Sequence, residues 1–204
     1  MANLNAPFGF RPARHLTGGS VAAKTDSYKI ASGYATTICT GDLVKADGAG
    51  NIAKVTAAAD VILGVFQGCK YIAADGAIRY SRYWMASTPT KAGTTIEAHV
   101  FDDPMITYTV QTSNTVLYAN QLKFVDVVDA AGNTNTGQSA QTVGAPGGVA
   151  SQFAVMGVVD SIPQRTVSAT GVQTFTLPAD GQYAVLEVRA VKHTLLGSAA
   201  GVAA

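Results

Sequence analysis

An all-β fold, built of short antiparallel strands in a barrel or sandwich, is what this chain predicts. Three observations lead there. Short runs rich in β-branched and aromatic residues recur about every 8–15 residues, the spacing of strands in a barrel or sandwich. Glycine and Asp-Gly signals punctuate them, at Asp47-Gly48, Asp75-Gly76 and Asp180-Gly181, where tight turns need a positive φ. No window shows a sustained 3.6-residue period, beyond a weak trace in "ANQLKFVDVV", so helix is limited to a turn or two.

The elements follow in order. Residues 1–27 hold Pro7, Gly9, Pro12, Gly18 and Gly19, a density that opposes helix. Phe8, Phe10, Arg11, Arg14 and His15 in the same stretch oppose a merely solvated tail. Two readings fit: an extended N-terminal arm that docks on a partner, or an irregular lead-in laid over the protein's own core. From Tyr28 the segments "SYKIA", "ATTIC", "DLVKA", "NIAKV" and "VILGVFQG" read as strands. "DGAIRYSRYWMAS" adds a turn and an alternating strand through Ile78, Tyr80, Arg82 and Trp84. "TTIEAHVFDD", "MITYTVQT" and "LKFVDVVDAAGN" continue the series. A polar, glycine-rich loop precedes "FAVMGVVD", "VQTFTLP" and "YAVLEVRAVKHTLL". The expected organisation is an arm over 1–27, a β-rich core over 28–195 with a possible subdomain division near 113–123, and a flexible tail over 196–204. A faint echo between "LVKADGAGNIAKV" and "FVDVVDAAGNTN" suggests either two related β-units or the ordinary likeness of hairpins.

Composition narrows the function. The 204 residues are enough to bury a substantial core, and only 13% are charged, about half the usual share. A surface finished with Thr, Ser, Asn, Gln, Gly and Ala loses little when covered, because few charges must be desolvated. Net charge is +1 without a basic block, which argues against nucleic acid. The two cysteines, Cys39 and Cys69, are too few for a disulfide scaffold and lack metal spacing, so they are expected as buried free thiols. Neither a signal-peptide-like apolar run nor an 18-residue apolar stretch occurs, so no membrane partner and folding in a cytoplasm are expected.

Chemistry-bearing patterns fail one after another. G-x-S-x-G is missing. His15, His99 and His193 lack a ligand at metal spacing and read as structural. Asp102 and Asp103 are neighbours on a strand and point to opposite faces, so they do not form an acid–base pair; turn and cap formation is expected of them. The segment 129–140 lacks the ligands of a calcium loop at its third and twelfth positions, Ala131 and Ala140. No phosphate cradle is present. Tyr71, Tyr80, Tyr83 and Trp84 are expected as cross-strand core pairs. No enzyme, cofactor, metal or small-molecule substrate is expected.

Three blocks carry a resemblance. The opening "ANLNAPFGFRPARHLTGG" is similar to an Ala-Pro-Phe-Gly-x-Arg-Pro-x-Arg-His start. "GDLVKADGAGNIAKVTAAADVILGVFQG" resembles a Gly-Asp-x-Val, glycine-turn, Gly-Val hairpin. The third block runs from "VFDDPMITYTVQT" through "NTNTGQS" to "VLEVRAVKHTLLGSAAGV". In this order they resemble tailed-bacteriophage virion structural proteins of the capsid decoration, or cement, type. One departure lies at "AVKHTLLG", where alanine and valine stand in place of an asparagine before His193. The resemblance implies a β-rich, non-catalytic protein on the capsid exterior, often a homotrimer, with the major capsid protein and itself as partners. It implies synthesis in the host cytoplasm. Pro7, Phe8, Phe10, Arg11, Arg14 and His15 are the candidate capsid or subunit contacts, since interfaces favour aromatic and arginine anchors. Alternatives are a tail, fibre-base or minor coat protein, or a carbohydrate-binding β module.

Overall fold

The hairpin "LVKADGAGNIAKV" forms as the sequence expects. Val44 pairs with Lys54 and Ala46 with Ile52, while the Asp47 carboxylate accepts the Ala49 and Asn51 N–H groups at 2.8 and 2.9 Å. Gly48 and, in the next Asp-Gly turn, Gly76 both take positive φ. The structure is a computed structural model. It describes residues 4–19, 21, 26–116, 118–147, 151–159, 164–167, 173–176 and 181–196. The Asp180-Gly181 turn begins, and nearly all of the expected tail lies, outside the described residues.

Among these residues there are fifteen strands. The first seven are β1 (Arg11–His15), β2 (Asp26–Ile30), β3 (Leu43–Ala46), β4 (Ile52–Lys54), β5 (Gly64–Ile72), β6 (Ile78–Ser81) and β7 (Ile96–Phe101). Then come β8 (Ile106–Gln111), β9 (Phe124–Val125), β10 (Val127–Val128), β11 (Thr142–Val143), β12 (Phe153–Val159), β13 (Gln164–Val167), β14 (Gln173–Thr176) and β15 (Val185–Ala190). Helix is confined to short 3-10 turns such as Tyr118–Asn120, which overlaps the start of the weakly periodic "ANQLKFVDVV". No helix among the described residues is long and apolar enough to cross a membrane.

The first sheet runs β3-β4-β2-β7-β5-β6, and an added β3–β5 pairing closes its first five strands into a ring. Its pairs are antiparallel apart from a single parallel bridge, Ile30 to Ile52. Ile30, Val44, Ile52, Phe66, Cys69, Ile96, Ala98 and Val100 form one buried cluster with Ile38 and Trp84. "ATTIC" is not a full strand. Ile38 instead exchanges backbone hydrogen bonds with Trp84, seating the indole, whose Nε1 donates to the Tyr34 carbonyl at 3.1 Å.

The second sheet is wholly antiparallel in the order β1-β8-β15-β12-β9. Ile106, Tyr108, Val110, Phe153, Val155, Leu186 and Val188 fill a second cluster. Leu43 and Val65 belong to this cluster, whereas their neighbours Val44 and Phe66 belong to the first. Alternate residues of a strand face opposite ways. The β3–β5 wall therefore serves both cores, one on each face. The chain passes from the first sheet to the second between β7 and β8, over residues 102–105.

The N-terminal segment is extended but does not stand off as an arm. Phe10 is fully buried and stacks on Phe153 with ring centroids 5.0 Å apart. Strand β1 pairs along β8 with a bulge between Pro12 and Arg14. Gln111 ties down the residues before it, accepting from Ala6 N–H and donating to the Leu4 carbonyl. Gly9 has φ +72°, and a Cβ there would lie 2.5 Å from Ser139 Cβ; this close passage explains the glycine of the opening block. Of the expected 1–27 arm, residues 1–3, 20 and 22–25 lie outside the described residues. The sequence echo does not make two equivalent units either. The stretch corresponding to β4 has no strand partner for β9, and β10 pairs with β11 instead.

Candidate functional site

The six residues singled out at the N-terminus separate by depth. Pro7 and Phe8 are half-buried, and Phe10 is wholly inside this chain's own core. Phe10 is thereby removed from any contact surface, because its ring has the Phe153 face as its partner. Arg11 and Arg14 remain exposed on β1. The Arg11 guanidinium lies 4.5 Å from the centre of the Phe8 ring, a cation–π contact that holds both side chains at the surface. Arg14 Nε meets Glu187 Oε1 at 2.5 Å, and Thr107 Oγ1 donates to the same oxygen at 2.7 Å. Burial alone would raise the Glu187 carboxyl, but these two hydrogen bonds outweigh it and hold the group below its ordinary range.

His15 sits at the mouth of a cleft of about 500 Å³ whose lining includes Thr17, Asp26, Asp102, Asp103 and Leu195. His15 Nε2 is 3.2 Å from Asp103 Oδ2. Asp103 also accepts the Met105 N–H at 2.8 Å, the turn role expected of it. Asp102 is buried and accepts the Tyr28 hydroxyl at 2.5 Å; burial and this carboxylate push the Tyr28 phenol up. The fully buried His193 accepts from Leu195 N–H through Nδ1. Burial pulls its pKa down against the opposing charges of Asp102 and Asp103. Its backbone flanks Ile62, with Ile62 N–H donating to Lys192 and Thr194 N–H to Ile62, so the late histidine pins the chain's last described segment to the first layer.

A second polar centre escaped the sequence reading. Asp42 is fully buried, accepts Cys39 N–H at 2.7 Å and Ser139 Oγ at 2.5 Å, and lies 3.7 Å from Lys54 Nζ. Lys54 Nζ also contacts Asp129 Oδ1 at 2.8 Å and donates to the Ala130 carbonyl at 3.2 Å. Gln141 completes the set, accepting Leu43 N–H and donating to Val55 carbonyl and Asp129 Oδ1. Two carboxylates share one ammonium. Burial raises the Asp42 carboxyl, with Lys54, Ser139 and Cys39 N–H opposing. Nothing in "NIAKV" or "VVDAAGN" signals this meeting, since a strand lysine and a loop aspartate are ordinarily solvated.

No protein family matches the chain, and neither a curated protein nor a solved structure is significantly similar to it.

The remaining aromatics divide. Trp84 is buried and Tyr71 packs edge-on against it at 5.6 Å. Tyr80 is not a core residue: it is 75% exposed, and Ile78 beside it 59%. The reason is β6's place at the end of its sheet, where no second layer covers it. Both cysteines are free and buried. Among the described residues no three His, Cys, Asp or Glu side chains converge to hold a metal ion.

Proposed function

We propose that this protein is a non-catalytic structural component of a tailed-phage virion: a capsid decoration protein that lies on the outer surface of the head and bridges neighbouring capsomers. One observation carries the reading. The N-terminal block that bears the resemblance forms the edge strand β1, leaving Arg11 and Arg14 exposed and one strand edge without a partner among the described strands. An open edge accepts a strand or loop of a partner through main-chain hydrogen bonds, and flanking guanidinium groups fix its register on carboxylates. The charge-poor β surface supports the same reading, because covering it desolvates few charges. A homotrimer would multiply modest contacts through effective concentration.

The test is co-sedimentation with expanded capsid shells, alongside the solution mass. Expected are saturable binding and a species of three times the 20.9-kDa chain. Arg11→Glu should weaken shell binding by roughly tenfold or more while leaving the far-UV spectrum unchanged. Failure to sediment with shells, or undiminished binding by Arg11→Glu, would overturn the proposal.

A further inference from the structure

We propose that Lys54 and Asp129 condense to an intramolecular isopeptide bond, with Asp42 as the proton relay and Gln141 as the group that polarises the reacting carboxyl. The proposal does not depend on the virion reading.

The geometry supplies each part. The nucleophile lies against the carboxyl group it must attack, Lys54 Nζ to Asp129 Oδ1 at 2.8 Å. The lysine side chain is only 5% exposed and the Asp42 side chain not at all, so water is kept from the amine and the relay, while the Asp129 side chain, 28% exposed, leaves the departing water a way out. Gln141 Nε2 donates to the same Asp129 oxygen at 3.0 Å; that oxygen becomes the amide oxygen and is already held by a donor as negative charge builds on it. Asp42 Oδ2 lies 3.7 Å from Nζ, and its position is fixed by Ser139 and the Cys39 N–H. Burial raises its pKa, which suits it to carry a proton from one group to the other.

The steps balance. A proton passes from the Lys54 ammonium to the Asp129 carboxylate, giving a neutral amine and a neutral acid. The Nζ lone pair attacks Asp129 Cγ, forming the N–C bond and moving the C=O pair onto Oδ1. Asp42 takes a proton from Nζ and passes it to the Oδ2 hydroxyl, the C–O bond breaks, and water departs as the carbonyl reforms. Asp42 thereby ends in its starting state. One ammonium and one carboxylate become one amide and one water, with no oxidant, reductant or other co-reactant. Holding the two groups in contact lowers the barrier, since well-oriented intramolecular reactions reach effective concentrations of roughly 10⁵–10⁸ M. The product would tie β4 of the first layer to the loop that follows β10.

An ordinary buried ion pair predicts the unmodified mass. Intact-mass measurement of the full-length protein separates the two directly. The expected result is a mass one water below that of the sequence. Proteolysis should yield a branched peptide joining the Lys54 segment to the Asp129 segment, resistant to alkaline hydroxylamine. Lys54→Arg and Asp129→Ala should each restore the full mass. Asp42→Ala, if folded, should accumulate uncrosslinked protein. A full-mass wild-type chain overturns the proposal without recourse to any variant. So does a water loss confined to a linear peptide at Asp47-Gly48 or Asp75-Gly76, the signature of a succinimide.

Discussion

Replacing Phe10 by alanine measures whether the N-terminal segment is part of the fold or an appendage. The ring is fully buried and stacked on Phe153 at 5.0 Å, inside a cluster that also takes in Ile106, Tyr108 and Leu186. Truncating a buried phenylalanine costs about 3–5 kcal/mol from lost transfer energy and the cavity left behind. The stacked pair adds about 0.5–1.5 kcal/mol beyond burial. Against a total stability of about 5–15 kcal/mol, the variant should remain folded but be severely weakened. At roughly 2–4 °C per kcal/mol for a chain of this size, the melting temperature should fall by about 7–26 °C. Urea titration followed by Trp84 fluorescence is the assay, since Trp84 sits in the other core and reports whole-molecule unfolding. Phe8→Ala is the control: half-buried and covered by Arg11, it should cost about 1 kcal/mol or less. A Phe10→Ala loss below about 1 kcal/mol would refute the reasoning, showing that the segment detaches without disturbing the sheet. Deleting residues 1–20 would remove β1 and the buried Phe10 together, and so would destabilise the core itself.

Further outcomes follow from the site chemistry. Burial pushes the Cys39 thiol up to about 11 and the Cys69 thiol up to about 12. Alkylation at pH 8 should therefore be more than about a hundredfold slower in native than in denatured protein, and reductant should leave the melting temperature unchanged. Glu187 is held below its reference value of 4.5, so the unfolded chain takes up that proton first. Its stabilisation is complete above about pH 4.5 and is lost as pH falls through the folded value. The stability gap between wild type and Arg14→Leu should accordingly be constant from pH 7 to 5 and close at lower pH; a gap that persists at pH 2 would point to packing by the arginine stem instead.

The all-β character was legible because it depends on local signals. Asp47 and Gly48 fix their turn within a few residues, and the β-branched runs in "TTIEAHVF" and "MITYTVQT" carry their alternation into β7 and β8. Burial of Cys39 and Cys69 was legible because free cysteine is among the residue types most often buried. Closure was not. The pairing of β3 with β5 and the single parallel bridge of β2 to β4 depend on how far the sheet curls, which no short window encodes. The N-terminal segment was ambiguous for a different reason: "PFGFRP" offers an anchor without saying whether the pocket lies in this chain or another. The answer is Phe153, which reads in sequence as any strand phenylalanine. Tyr80 was misplaced because alternation predicts which residues share a face, not whether anything covers it. The Lys54, Asp42 and Asp129 centre was invisible because its members come from β4, the turn before β3 and the loop after β10. Only the tertiary fold brings them together.

The shared wall decides how the molecule unfolds. Leu43 and Val65 pack into the second cluster while Val44 and Phe66 pack into the first, so neither layer can be removed without baring one face of the same two strands. A fragment of residues 26–101 would expose Leu43, Val55, Ile62 and Val65, all buried in the intact chain. At about 1.5–3 kcal/mol each, this forfeits about 6–12 kcal/mol, comparable with the whole stability of a domain. The fragment should therefore fail to fold, although it contains every strand of the closed ring. The intact chain should melt in one transition with calorimetric and van't Hoff enthalpies equal. Two resolved transitions, or a fragment with a native near-ultraviolet signal from Trp84, would show that the layers are independent and that the wall is a contact rather than a common element.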